Sequence, residues 1–272
     1  FPSLFNLPSN SNYSFIEGDV SQIDLKPVFF GADVVIHLAA ITDAAGSINK
    51  AEELEANNFQ STLRVAEACI EADASLIAIS STSVYGTQKD QVDENCSDSE
   101  LQPQSPYATT KLKEEELIAN LSKDKGLKAI HCRFGTIFGA SQGMRFHTAV
   151  NKFCWQAVMN QPISVWTTAY DQKRPYLDLL DASRAIAFII KNNIFDGQIY
   201  NVLTSNATVR QVVDTIKEFV PNLEIEFVDN QIMNQLSYEV LCQRFKSKGF
   251  VFSGNMRRGI KETIDLLKYA NK

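Results

Sequence analysis

Two hydrophobic rhythms alternate along the first half of the chain. Asp33-Val34-Val35-Ile36-His37-Leu38-Ala39-Ala40 and Ser75-Leu76-Ile77-Ala78-Ile79-Ser80 are short runs rich in β-branched residues, the pattern of strands buried in a parallel sheet. Between them, Leu54 to Ala72 carries Leu63, Val65, Ala66, Cys69 and Ile70 at helical spacing, which supplies the crossover of a right-handed βαβ unit. The rhythm repeats. Tyr107 to Leu121 reads as a helix through Leu112, Leu117 and Leu121, and Leu127 to Phe134 as the next strand. Strands alternating with helices predict an α/β fold built on a doubly wound parallel sheet, whose ligands lie beyond the carboxyl ends of the strands. His37 to Ala40, Ser80 to Ser83 and Arg133 to Thr136 all stand at such ends, so the polar residues of interest converge on one edge.

After about residue 140 the alternation weakens. Phe146 to Val158 reads as a helix, Ile163 to Trp166 as a short strand, Asp181 to Lys191 as a helix and Gln198 to Val202 as a strand. Val209 to Phe219 and Ile260 to Tyr269 read as helices, with a strand at Glu224 to Val228 between them. This predicts a sheet domain over 1–140 and, over 141–272, mainly a smaller lobe with segments returning to the main sheet. No internal repeat is evident. The opening differs from a dinucleotide-binding sheet, which starts with a strand, a glycine-rich turn and a helix whose N-terminus holds a pyrophosphate. Phe1 to Asn6 reads as a loop running into Tyr13-Ser14-Phe15-Ile16-Glu17-Gly18-Asp19-Val20, and none of the 12 glycines forms a G-x-G-x-x-G or G-x-x-G-x-x-G turn.

Composition narrows the classes. At 272 residues, 44% hydrophobic and 21% charged, the chain has the material for a sizeable core. A net charge of −6 argues against a nucleic-acid surface, which needs clustered Lys and Arg. The five cysteines are odd in number and never form a C-x-x-C pair, so a disulfide framework or zinc site is not expected. His37, His131 and His147 are dispersed, and no metal-ligand cluster emerges. No apolar run approaches the ~20 residues of a membrane span, and no signal segment opens the chain, so the expected compartment is the cytoplasm.

The chemistry centres on Tyr107 and Lys111, in Ser105-Pro106-Tyr107-Ala108-Thr109-Thr110-Lys111, with Ser80-Ser81-Thr82-Ser83-Val84-Tyr85-Gly86 upstream. A spacing of i to i+4 puts both side chains on one helix face, so an ammonium lies beside a phenol and is expected to lower its pKa from about 10. The phenol then becomes a usable base. The bland reading is that Tyr107 is an exposed N-terminal helix residue and that Ser80 to Ser83 merely end a strand.

Together with Gly18-Asp19-Val20, His37-Leu38-Ala39-Ala40, Asn58 followed by Thr62, and Arg174-Pro175-Tyr176-Leu177-Asp178 leading to Asp181, these residues resemble the extended short-chain dehydrogenase/reductases, specifically the nucleotide-sugar epimerase/dehydratase group. The likeness runs from about Gly18 to the C-terminus. It implies a Rossmann-like NAD-binding domain and a substrate-binding lobe, with NAD as cofactor, a nucleotide sugar as substrate and a homodimer as the assembly. It also implies that Tyr107 is the base, that Lys111 holds the nicotinamide ribose, and that Ser81 hydrogen-bonds the reacting oxygen. Ser81 is preferred to Ser80 because it stands three residues before Val84. Asp19 and Val20 are implied at the adenine, the alternative for Asp19 being a turn residue. Leu38, Ala39 and Ala40 are implied beneath the cofactor, with Ser80 and Phe134 beside it. Asn58 is implied as a buried amide tying strand ends near the cofactor, an N-cap being the alternative.

On the substrate side the resemblance implies Thr82, Thr136, Arg174 and Trp166, with Arg174 on the diphosphate and the region of Arg145 to Lys152 nearby. Core packing is the competing reading for Trp166. The chain also departs from the family. Thr136 stands where members commonly carry an Asn. Thr82 and Ser83 stand where the 4,6-dehydratases place the Asp-Glu pair that eliminates water, which favours a UDP-glucose 4-epimerase-like activity, or a simple 4-oxidoreductase, over a dehydratase. A non-catalytic NAD-binding sensor or scaffold is the alternative from another class. The resemblance further implies that the N-terminal β-α-β segment, with its glycine turn, precedes Phe1, so weak or absent NAD binding is expected of the 272-residue polypeptide alone.

Overall fold

The computed structural model describes residues 11–42, 51–86, 90–229 and 237–270. The loop expected at Phe1 to Asn6 lies outside the described residues. In chain order the elements are α1 (Lys26–Phe29), β1 (Val34–His37), α2 (Ala51–Ala72), β2 (Ser75–Ser81), β3 (Gln91–Val92), α3 (Pro106–Lys125), β4 (Ala129–Phe134), β5 (Thr136–Phe138) and α4 (Ala149–Val158). There follow β6 (Ile163–Trp166), β7 (Lys173–Asp178), α5 (Leu179–Lys191), β8 (Ile199–Val202), β9 (Ser205–Thr208), α6 (Val209–Lys217), β10 (Ile225–Val228), β11 (Glu239–Val240), α7 (Gln243–Ser247) and α8 (Met256–Leu267).

The main sheet has the order β1-β2-β4-β8, every pair parallel. Strand alternation divides its side chains between two layers. Leu76, Ala78 and Ala129 pack with Val65, Ala66, Cys69, Ile118 and Leu121 of α2 and α3. Ile77, Ile130, Cys132 and Phe134 pack on the opposite face with Ala182, Ala185 and Ile189 of α5. Helices on both faces make β2 and β4 buried almost throughout, which is why both read as continuous apolar runs.

Helix α3 has strong end signals. Ser105 accepts the Ala108 N–H as N-cap, Pro106 occupies the first turn, and Gly126 closes the helix at φ 72°, a conformation that favours glycine. This start places Tyr107 in the first turn and Lys111 one turn later. Upstream, Gly86 follows β2 where a Cβ would sit 2.2 Å from the Gln102 carbonyl oxygen, so only glycine lets these two loops cross.

The later half builds a second cluster in which Phe138, Val150, Phe153, Ile163, Val165, Tyr176, Val212 and Ile260 join α4, α6 and α8 to short strands. Strands β5, β7 and β9 form one small sheet, and β6 and β10 another. Segment β8, from beyond residue 140, returns to the main sheet.

Several bounds differ from expectation. The helix expected from Phe146 starts at Ala149, and the one expected from Ile260 starts at Met256, capped by Asn255, which accepts the Arg258 N–H. The strand expected from Leu127 starts at Ala129.

Candidate active site

The carboxyl ends of β1, β2 and β4 bring the predicted polar residues to one edge. Strand β2 ends at Ser81, which caps a single 3-10 turn, Thr82–Val84, that packs against α3. The Ser81 Oγ accepts the Ser83 N–H at 3.1 Å and the Ser83 hydroxyl at 2.8 Å. With both lone pairs engaged, its own proton is left to donate.

Lys111 is 4% exposed, and its Nζ lies 5.8 Å from the centroid of the Tyr107 ring. Its direct partner is the Glu114 carboxylate, 2.8 Å away and equally buried. Glu114 is not among the residues expected from the sequence. The signal was present, since a residue at i+3 shares the helix face of Lys111. This corrects the expected phenol: burial first, and then the Glu114 charge, push the Tyr107 pKa up rather than down. Beneath Lys111, His37 at the end of β1 bonds the Thr62 hydroxyl at 3.1 Å, and burial followed by the Lys111 charge lowers its pKa to about 4.

Three further expected residues have their side chains sent into the interior by strand alternation and packing. Ser80 turns to the α3 face and donates to Glu115 Oε1 at 2.5 Å, while Glu115 takes a two-pronged ion pair from Arg133 at 2.9 and 2.6 Å. Its hydroxyl is therefore spent in the core. Thr82 is buried, its hydroxyl donating to the Phe134 carbonyl oxygen at 3.2 Å, and the Phe134 ring belongs to the α5-side core. Neither side chain lines the edge.

The remaining residues take these places. Leu38, Ala39 and Ala40 continue past β1, with Leu38 63% exposed. Asn58 sits in the interior of α2, excluding the N-cap. Its side-chain amide donates to the Ile41 carbonyl oxygen and accepts the Ile41 N–H, tying down the segment beyond β1. Asp19 is exposed and accepts the Ser21 N–H and hydroxyl through one carboxylate oxygen, while the Val20 carbonyl oxygen accepts from Arg64. Arg145 reaches across to the Thr42 hydroxyl at 2.8 Å. Thr136 pairs with Tyr176 at the start of β5, and Trp166 ends β6, half-buried, opposite Val228. The Arg174 guanidinium is folded onto the Lys173 carbonyl oxygen and Gln172 Oε1. Among the described residues no cluster of His, Cys, Asp or Glu is built to hold a metal, and no helix is long and apolar enough to cross a membrane.

Residues 2–202 match the NAD dependent epimerase/dehydratase family. The chain belongs to that family. Its central parallel sheet matches Rossmann-like epimerase structures, and NAD is the family's cofactor. An uncharacterised UDP-glucose epimerase of Bacillus subtilis is 30% identical over 221 residues, covering 79% of this chain and 67% of that protein. A trifunctional UDP-glucose 4,6-dehydratase/3,5-epimerase/reductase of Arabidopsis thaliana is 28% identical over 269 residues, 94% of this chain but 39% of that protein. The chain thus spans about two fifths of these trifunctional relatives. Among solved structures, a UDP-N-acetylglucosamine 4-epimerase from Methanobrevibacter ruminantium superposes with a TM-score of 0.86 at 19% identity, covering 98% of this chain and 86% of that one. A UDP-glucuronic acid 4-epimerase from Bacillus cereus, solved with NAD, has a TM-score of 0.85 at 22% identity and covers 97% and 83%.

In this family member, the residues present fit the nicotinamide-ribose end of NAD. Leu38 and Ala39 are exposed beyond β1, on a segment that Asn58 ties down through the Ile41 backbone, which leaves room there for that end of the cofactor.

Proposed function

We propose that the chain is an NAD-dependent nucleotide-sugar epimerase that oxidises the sugar C4 hydroxyl to a transient ketone and reduces it on the opposite face. The observation that carries this reading is the Tyr107–Lys111 pair on α3, against which packs the 3-10 turn that Ser81 caps, with Ser81 fixed as a donor by Ser83. In the proposed mechanism Tyr107 takes the hydroxyl proton and returns it after the ketosugar has turned over. Ser81 donates to the reacting oxygen and holds it against the phenol. Lys111 favours the phenolate and meets the ribose hydroxyls. NAD, when bound, would supply the hydride acceptor and donor for C4. Leu38, Ala39 and Ala40 form the cofactor floor, and Asn58 holds them in place. Asp19 and Val20 are assigned to the adenine end. Arg174, released from its own turn, takes the diphosphate, a role that suits a guanidinium. Thr136 and Trp166 complete the nucleotide side.

A dehydratase reading has support in the 28% identity to the Arabidopsis thaliana protein. The Thr82 hydroxyl is tied to the Phe134 carbonyl oxygen and the Ser83 hydroxyl to Ser81, and neither titrates as an acid or base near neutral pH. Elimination of water therefore lacks its acid and base here.

The test is incubation of the full-length protein and NAD with UDP-, dTDP-, GDP- and CDP-hexoses, with products read by NMR. A C4 epimer supports the reading. A 4-keto-6-deoxy sugar would establish dehydration instead.

A further inference from the structure

The helix that carries Tyr107 and Lys111 also carries an acid that catalysis by a Tyr–Lys pair does not require. Glu114 is 5% exposed. Its Oε2 is 2.8 Å from Lys111 Nζ, and among the described residues its Oε1 has no hydrogen-bond partner. An unpartnered carboxylate oxygen in a protein interior is costly, and the adjacent ammonium is what offsets it. The same ammonium is the one the phenol needs. Lys111 is thus divided between a carboxylate in contact and a ring 5.8 Å away.

We infer that Glu114 is a positioning residue for the Tyr107–Lys111 pair: its carboxylate clamps the Lys111 ammonium and offsets the charge that would otherwise act on the phenol. The inference rests on the proposed role of Tyr107 as base. The surroundings agree with it. From β1, neutral His37 brings no compensating charge, and from α2 the Thr62 hydroxyl, bonded to His37, also favours the Glu114 carboxylate. From β4, Arg133 is paired with Glu115 of α3, and His131 has its pKa lowered to about 4, chiefly by burial. Lys113 of α3 points outward to Glu55 of α2. Glu114 is the charge in direct contact with Lys111, and it contributes to the upward shift of the phenol. The working range of the base is therefore set by Glu114 as well as by Lys111.

Glu114→Gln keeps the shape and removes the charge. The expected result is that the Tyr107 phenol, followed by tyrosinate absorbance as the difference between Glu114→Gln and Glu114→Gln/Tyr107→Phe, titrates at lower pH than in the wild type. A shift of about one unit makes kcat/KM on the acid side of the profile about tenfold higher in the variant. Glu114→Asp, which retains a carboxylate on a shorter arm, is expected to shift the same way by less, and serves if the glutamine variant does not fold. An unshifted Tyr107 titration in a folded variant overturns the inference. The absorbance titration needs neither substrate nor cofactor, so it stands whatever the sugar screen returns; an epimerase reading that fails leaves the Tyr107 shift intact.

Discussion

At the scale of single residues, the consequence of Ser81 and Tyr107 sharing one edge is a loss that Tyr107→Phe should reveal. Only the hydroxyl is removed, and no hydrogen bond to it is formed among the described residues. The expected outcome is a drop in kcat/KM on the order of 10²–10⁴ with an unchanged unfolding midpoint. Unchanged turnover of nucleotide sugars would remove Tyr107 from the mechanism. Ser83→Ala is a finer probe. It leaves the Ser83 N–H on Ser81 but removes the hydroxyl donor, so the Ser81 proton is no longer confined to the substrate side. A loss of about two- to tenfold in kcat with KM unchanged is expected, the size of one neutral hydrogen bond. The Tyr107–Lys111 relation was legible because a four-residue spacing on a helix is a local fact. The fates of Ser80, Thr82 and Phe134 were not. Which face a strand residue takes, and which hydroxyl is spent, depends on Glu115, the Phe134 carbonyl and the α5-side core, all distant in sequence.

Among the elements, α3 is held to β4 by the Arg133–Glu115 pair, whose side chains are 3% and 6% exposed. Breaking one partner strands the other charge in the core, so Glu115→Gln is expected to cost about 3–5 kcal/mol in urea unfolding. The double replacement Arg133→Met/Glu115→Leu should recover much of that. A Glu115→Gln midpoint equal to the wild type would show that the pair does not hold the two elements together. This ion pair sits directly beneath Ser80 and one turn beyond Lys111, so it fixes the helix that presents the site to the strand that ends at it. The larger elements could be read from the sequence because their apolar spacing is strong: α6 buries Val209, Val212, Val213 and Ile216 along one stripe. Short strands such as β9, Ser205–Thr208, could not. That strand is polar and owes its conformation to antiparallel pairing with β7, which no local pattern announces.

For the whole molecule, pH acts through the two buried histidines on the α3 side of the sheet. His37 and His131 both have pKa values lowered from 6.5 to about 4, by burial first; the Lys111 charge adds to the shift at both, and Arg133 also at His131, where Glu115 opposes it. The folded chain keeps both rings neutral where the unfolded chain takes up protons. Their contribution is therefore fully present above 6.5 and is lost as the pH falls toward about 4, with a slope of up to about 1.4 kcal/mol per pH unit for each ring. Glu94 and Glu114, raised chiefly by burial, give the opposite slope, beginning at the unfolded value of 4.5. A difference measurement separates the two. Among the described residues His131 Nε2 is buried without a hydrogen-bond partner, so His131→Leu removes both the titration and an unsatisfied polar atom. Urea midpoints of the wild type and His131→Leu should nearly coincide in slope above pH 7 and diverge steadily in favour of the variant from pH 6.5 down to 4.5. Parallel curves over that interval would mean that His131 is protonated in the folded state and that its charge is compensated by Glu115 after all.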